Sequence, residues 1–267
     1  MKLLRICLIG LASLLLLAAL LLWFLPARWA MPWLQPRLHG LQLQQVSGSL
    51  WDGRAEQVLG ADGRPLGRLQ WQLSRRALLG KQALRLSFDG PRLAFAGEFQ
   101  RHEDGQIVAH GLSMRADAAV LDDYLRSPLG QPRGELTLSV HHLRLQGGWP
   151  MELQGQARWQ RALMHADDGD VALGTLLLEA QANGGVVQAS LHDDGHGPLQ
   201  VQGQLQLSPL GWRLDATLRA RHTDPLLQRW LARLGPASRD GSVHIQHRGG
   251  LAGSLPAASP DKDTRQP

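Results

Sequence analysis

Several residue groups in this 267-residue chain have types and spacings that could do chemistry. Ser49, in Gly48-Ser49-Leu50-Trp51-Asp52-Gly53, places a hydroxyl near a carboxylate, as a nucleophile would need. The run lacks the Gly-x-Ser-x-Gly elbow, however, and reads as a strand leading into a turn. His192-Asp193-Asp194-Gly195-His196 and His141-His142 invite a metal reading, because imidazoles and carboxylates are common ligands. Yet histidines four apart face one way only on a helix, and Asp-Asp-Gly between them reads as a hairpin turn. Adjacent histidines on a strand point to opposite faces. That leaves at most a weak zinc contact at the turn. Asp122-Asp123 and Asp167-Asp168 could pair as acid and base, but both lie in or beside polar turns, where solvated caps are the ordinary outcome. No phosphate-cradling loop accompanies them, so neither an enzyme nor a cofactor is expected.

Bulk composition narrows the classes further. The net charge is +5, and lysine occurs only at Lys2, Lys81 and Lys262. The arginines are scattered among Asp and Glu along candidate strands, unlike the dense basic runs of a nucleic-acid surface, so no nucleic-acid partner is expected. The only cysteine is Cys7, so the chain can form neither an internal disulfide nor a cysteine-based metal site.

Positioning begins with the N-terminus. Lys2 and Arg5 precede twenty uncharged, mostly apolar residues, 6–25, enough for a helix of roughly 30 Å that would span a bilayer. Trp23, Phe24, Leu25 and Pro26 close the stretch with no small-residue cleavage site, which argues for a retained anchor. Trp23, Phe24, Trp29 and Trp33 fit an interfacial aromatic belt, and the early basic residues favour an N-terminus inside the cell.

From about Leu41 the period changes to two. Leu84, Leu86 and Phe88 alternate with Arg85 and Ser87, and Leu199, Val201, Leu205 and Leu207 alternate with glutamines, giving strands with one dry and one wet face. Ala61-Asp62-Gly63, Asp89-Gly90-Pro91, Glu103-Asp104-Gly105, Asn183-Gly184-Gly185 and Asp193-Asp194-Gly195 mark antiparallel hairpins. Two helices interrupt the strands, over Ala116 to Arg126 and from a Thr223-Asp224-Pro225 cap through Leu234 to a stop at Gly235. The expected division is 1–27 as cytoplasmic end and anchor, 28–40 as linker, 41–148 and 149–253 as two periplasmic β units, and 254–267 as a disordered tail.

The two β units read as an internal duplication. Gly48-Ser-Leu-Trp51 parallels Gly155-Gln-Ala-Arg-Trp159, Leu66-Gly67 parallels Leu173-Gly174, and Phe95-Ala-Gly97-Glu-Phe99 parallels Val201-Gln-Gly203-Gln-Leu205, at offsets between 106 and 108. Joined edge to edge, the units predict a mainly β chain: a transmembrane helix, then one long twisted antiparallel sheet of two repeats, each with one short helix. Trp51, Trp71, Trp159 and Trp212 fall in alternating segments and are expected in the core, with an apolar groove for a lipid or partner strand as the alternative.

Together, Pro26-Ala-Arg-Trp29, the run from Leu41 to Ala55 around Val46-Ser-Gly-Ser-Leu-Trp-Asp-Gly-Arg54, and Leu66-Gly-Arg-Leu-Gln-Trp-Gln-Leu73 resemble the general secretion pathway protein N family. The resemblance implies an inner-membrane, single-pass, non-catalytic accessory of the type II secretion system with its C-terminal domain in the periplasm. It implies the other subunits as partners, the inner-membrane platform and the secretin among them. The signature positions are Gly48, Ser49, Leu50, Trp51, Asp52, Gly53, Gly67, Trp71, Trp159, Gly174 and Gly203. A periplasmic lipid-binding or lipid-transfer β-groove is the alternative function.

Overall fold

The computed structural model describes residues 25–34, 38, 40–75, 82–102, 104–123 and 129–250. A helix α1 (Ala27–Leu34) is followed by strands β1 (Gln42–Gly48), β2 (Asp52–Leu59), β3 (Pro65–Leu73), β4 (Gln82–Asp89), β5 (Leu93–Arg101), β6 (Ile107–Asp117) and β7 (Gln131–Gln146). Then come β8 (Trp149–Ala166), β9 (Gly169–Asn183), β10 (Val186–Asp193), β11 (Leu199–Ser208), β12 (Gly211–Ala220), helix α2 (Pro225–Leu234) and β13 (Val243–Gly250). All thirteen strands form one antiparallel sheet whose spatial order is the chain order. The hairpin signals each fall between consecutive strands, where short turns join them, while longer segments join β3 to β4, β6 to β7 and β12 to β13. The apolar 6–25 stretch lies outside the described residues apart from Leu25. No helix among the described residues is long and apolar enough to cross a membrane.

Period-two patterning makes the sheet two-faced. Along β11, Leu199, Val201 and Gly203 are buried while Gln200, Gln202 and Gln204 are exposed. Cross-strand pairing carries the dry face across the sheet, because Leu69 opposes Phe88, Phe88 opposes Phe95, and Phe95 opposes Met114. Next to Met114 stand Leu138 and then Ala157 and Leu178. With no second sheet to cover this face, the strands coil. Cα atoms of β8 come within 8 Å of β10, and those of β9 within 8 Å of β11. A flat sheet would hold next-but-one strands roughly 9.5 Å apart.

Close backbone approach at glycines permits the coiling. A Cβ on Gly67 would lie 2.7 Å from the Gly90 Cα, and one on Gly174 would lie 2.6 Å from the Gly197 Cα. Both Gly67 (φ 153°) and Gly174 (φ 97°) have positive φ, which disfavours any side chain there. Their strands also carry similar register breaks, with Val58 opposite Gly67 and Ala162 opposite Gly174.

Helix α2 caps one end of the dry face. Asp224 accepts from the Leu226 and Leu227 amides, and Pro225 occupies the first turn, as the sequence signals require. Leu227, Trp230 and Leu231 insert among Leu173, Leu199, Leu218 and Val243 to make the main buried cluster. The Trp230 indole donates to the Leu129 carbonyl at 2.9 Å, tying the helix to the other half of the sheet. The segment expected as a helix over Ala116 to Arg126 is instead strand to Asp117 and a 3-10 turn over Ala118–Asp123. Ala116 stays in the ladder because it pairs with both Leu93 and Leu136, and the Asp117 amide donates to Arg92. Residues 124–128 lie outside the described part. Within the 28–40 linker, the chain through Leu34 is helical, as part of α1.

If α2 is the lid of this core, Leu227→Ala, at a site with no solvent exposure, destabilises the folded domain by about 2–5 kcal/mol. The exposed neighbour Gln228→Ala changes it by under about 0.5 kcal/mol. Equilibrium denaturation followed by tryptophan fluorescence distinguishes the two.

Candidate functional site

The signature run builds the β1–β2 hairpin. The Ser49 amide donates to the Asp52 carbonyl at 2.8 Å, and the Asp52 amide donates to the Ser49 hydroxyl at 3.0 Å. Ser49 Oγ is therefore held within its own turn, and among the described residues its hydrogen bonds are to the Asp52 backbone. Gly48 has φ 86°, and a Cβ on it would sit 2.5 Å from the Asp52 carbonyl oxygen. A Cβ on Gly53 would lie 2.3 Å from the Trp71 ring, so the missing side chain is the seat of that indole. Trp71 donates to the Leu50 carbonyl at 3.1 Å, the Leu73 amide donates to the Trp51 carbonyl at 2.6 Å, and Trp51 is buried. Every signature residue from Gly48 to Gly53, with Trp71, thus belongs to one packed corner.

That corner is also where the chain enters the sheet. The Leu50 amide donates to the Leu25 carbonyl at 2.9 Å, and Pro26 bridges to Ser49. The last residue of the apolar 6–25 stretch is therefore hydrogen-bonded to the signature turn. On the outer face beside it, a cleft of about 540 Å³ is open to solvent between Arg54, Gln70, Gln72 and Arg85.

The remaining signature positions lie elsewhere. Trp159 packs against the α2 cluster and donates to the Arg133 carbonyl at 2.9 Å. Gly67 and Gly174 stand at the two close approaches, and Gly203 faces Ala216, whose Cβ would be 2.9 Å from an added Cβ. Trp51, Trp71 and Trp159 pack in the sheet, whereas Trp212 is 41% exposed beside Leu210, which is 62% exposed. Trp230 is a further core indole, carried by α2, and the Thr223-Asp224-Pro225 cap is the signal that places it.

The chemistry-bearing groups resolve into structure. The Asp193-Asp194-Gly195 turn joins β10 to β11, and Asp193 accepts from the Gly195 and Val201 amides at 2.9 Å and from the Arg221 guanidinium. Burial works to raise the Asp193 carboxyl, but those amides and the Arg221 charge outweigh it and hold it below the usual carboxylate range. His141 is exposed at a register break between Val140 and His142, and the His142 ring stands 5.1 Å from the His110 ring and 3.1 Å from a Glu152 oxygen. Hydrogen bonds from Arg144 and His142 hold the Glu152 carboxyl low. Asp122 pairs with Arg133 and Asp168 with Arg233. No group of three or more His, Cys, Asp or Glu among the described residues is arranged to hold a metal.

Comparison with known proteins gives a single answer. The family model described as "Type II secretion system (T2SS), protein N" matches residues 39–246. A protein of Vibrio cholerae serotype O1 named type II secretion system protein N is 30% identical over 69% of this chain and 73% of its own length. A protein of the same name from Klebsiella pneumoniae is 28% identical over 78% of this chain and 82% of its own. No solved structure matches.

The Asp193 arrangement sets a pH dependence. A carboxyl held low in the folded state contributes stability that is fully present above its unfolded value, about 3.9. That stability is lost as pH falls through the lower folded value. Asp193→Asn should destabilise the domain by about 1–3 kcal/mol at pH 7, and the gap to wild type should shrink in melts taken from pH 4 towards pH 2.

Proposed function

The chain belongs to the type II secretion system protein N family, and from that premise we propose that it is a non-catalytic accessory of that system which supports export of folded proteins by protein–protein contact. In this reading residues 6–25 anchor it in the inner membrane, with the N-terminus cytoplasmic and the sheet periplasmic. Its partners are other subunits of the system, the inner-membrane platform and the secretin among them. The observation that carries the reading is the use of the signature. Its residues form the corner where the chain passes from Leu25 into the sheet, and Ser49 is consumed by the turn. A corner of this kind transmits position from an anchor to a body, which is what a scaffold needs.

We also propose that the sheet arose by duplication. The glycine pairs Gly67–Gly90 and Gly174–Gly197 are offset by 107 at both members, and each pair makes the same close approach. The unit boundary then falls between β7 and β8, where the two repeats pair edge to edge.

Contact with neighbouring subunits suits the β13 edge. Among the described residues its outer side is bridged only at Val243, by Ala237, and an exposed strand edge is a template for another strand. Exposed Leu210 and Trp212 flank its far end, where Trp212 opposes Gly249. Replacing Leu210 and Trp212 together with aspartate should leave growth normal while exoproteins accumulate in the periplasm and disappear from the medium. Immunoblots of periplasm and medium read this directly, and unchanged release sinks the scaffold reading at this surface.

A second reading, a lipid-binding sheet, is favoured by one observation: the apolar row that cross-strand pairing carries over β4–β7 from Phe88 through Phe95 and Met114 to Leu138.

A further inference from the structure

Resting on that second reading, we infer that the dry face of β4–β7 is a binding site for the acyl chain of an anionic phospholipid, with Phe95, Phe99 and Met114 against the chain and Arg101 at the phosphate.

The two halves of the sheet treat the same face differently. In the second half, Val201, Ala216 and Leu218 are buried because α2 lies over them. At the corresponding place in the first half stand Phe95, Gly97 and Phe99, and both phenylalanines and Met114 remain half-buried. The 3-10 turn Ala118–Asp123, which stands where α2 does in the second half, packs on β7. Three of the four phenylalanines of the chain, Phe88, Phe95 and Phe99, are thus concentrated on a face that the described residues leave partly open.

Shape and polarity select the occupant. The Phe95 and Phe99 rings are 6.1 Å apart, and Gly97 between them leaves a hollow that the Leu112 side chain enters, 2.3 Å from where a Cβ would be. Outside the register break at His141, the inner-face positions from β3 to β8 between the strand ends are apolar or glycine. A peptide backbone or a sugar would find no partner there, and its desolvation would go unrepaid, whereas an alkyl chain loses nothing. Along β5 from Leu93 to Arg101 the face runs about 26 Å at the usual rise per residue, enough for the roughly 15 Å that one leaflet contributes to a bilayer core.

Charge sets the class of lipid. Arg101 continues the inner-face row of β5 beyond Phe99, is exposed, and makes no ion pair among the described residues. A cation at the open end of an apolar strip is complementary to a phosphate joined to an acyl chain. Access follows from the signature corner. Leu25, the end of the apolar 6–25 stretch, is bonded to the β1–β2 turn, two strands from β4, so the face opens where the anchor would leave the membrane.

The test uses the full-length chain in phosphatidylethanolamine vesicles doped with phosphatidylglycerol that carries a photoactivatable diazirine on one acyl chain. Cross-linked peptides are mapped by mass spectrometry. Label on the peptides holding Phe95–Phe99 and Leu112–Met114, as well as on 6–25, is expected. Phe99→Asp should abolish the β5–β6 label and leave that on 6–25. Arg101→Gln, a surface change with no folding burden, should lower β5–β6 label about two- to fivefold with the phosphatidylglycerol probe and by less with a phosphatidylcholine probe, whose phosphate charge is offset by its choline. Label confined to 6–25 overturns the site while sparing the anchor. Label on β5–β6 without 6–25 supports the site and overturns the anchor, and absence of both overturns each. A co-purifying protein cross-linked at Phe95–Phe99 in place of lipid also overturns the proposal.

Discussion

A single-layer sheet with one apolar face has nothing opposite to bury it, and this constraint governs the molecule. Thirteen strands in chain order expose that face along their whole run. Hydrophobic burial, the main driving term of folding, must therefore come from coiling and from whatever lies on the face. Coiling needs places where backbones nearly touch, and Gly67 against Gly90 and Gly174 against Gly197 provide them. A helix completes the burial in one half, with Leu227 wholly withdrawn from solvent. The other half, with its phenylalanines half-buried, has the same need and a different means of meeting it.

The outer face follows the opposite logic. Arg85 pairs with Glu98, Glu135 lies between Arg115 and Arg161, and Glu152 lies between Arg144 and His142. Exposed pairs of this kind add little stability each, but they hold opposite charges in cross-strand register and disfavour slippage. Arginines such as Arg85, Arg115, Arg144 and Arg161 are thus answered by neighbouring carboxylates across the strands.

Much of this was legible in the residues. Alternation at Leu84 to Phe88 and Leu199 to Leu207 located strands, the Asp-Gly and Gly-Gly turns located hairpins, and Asp224-Pro225 with Gly235 bounded α2. These signals are local, so a linear reading captures them. Register breaks such as that between Ala55 and Val58 depend on which strand lies alongside, and so does the loss of helix at Ala116 to a two-sided ladder. The signature run was legible as a set of residues, but its role required Leu25 and Trp71, one distant in sequence and one on another strand. The phenylalanine cluster had a signal, three of four phenylalanines within the twelve residues from Phe88 to Phe99. It read as ordinary strand patterning because how far the described residues cover that face is a tertiary fact.

The central claim is that both halves share one continuous sheet through the β7–β8 pairing. Amide hydrogen exchange of the full-length protein, resolved by peptide, tests it most directly. One sheet predicts that 131–146 and 149–166, each flanked by strands on both sides, exchange among the slowest residues and open together with their neighbours. Fast exchange at this junction, with the two flanking halves protected and opening independently, would contradict it.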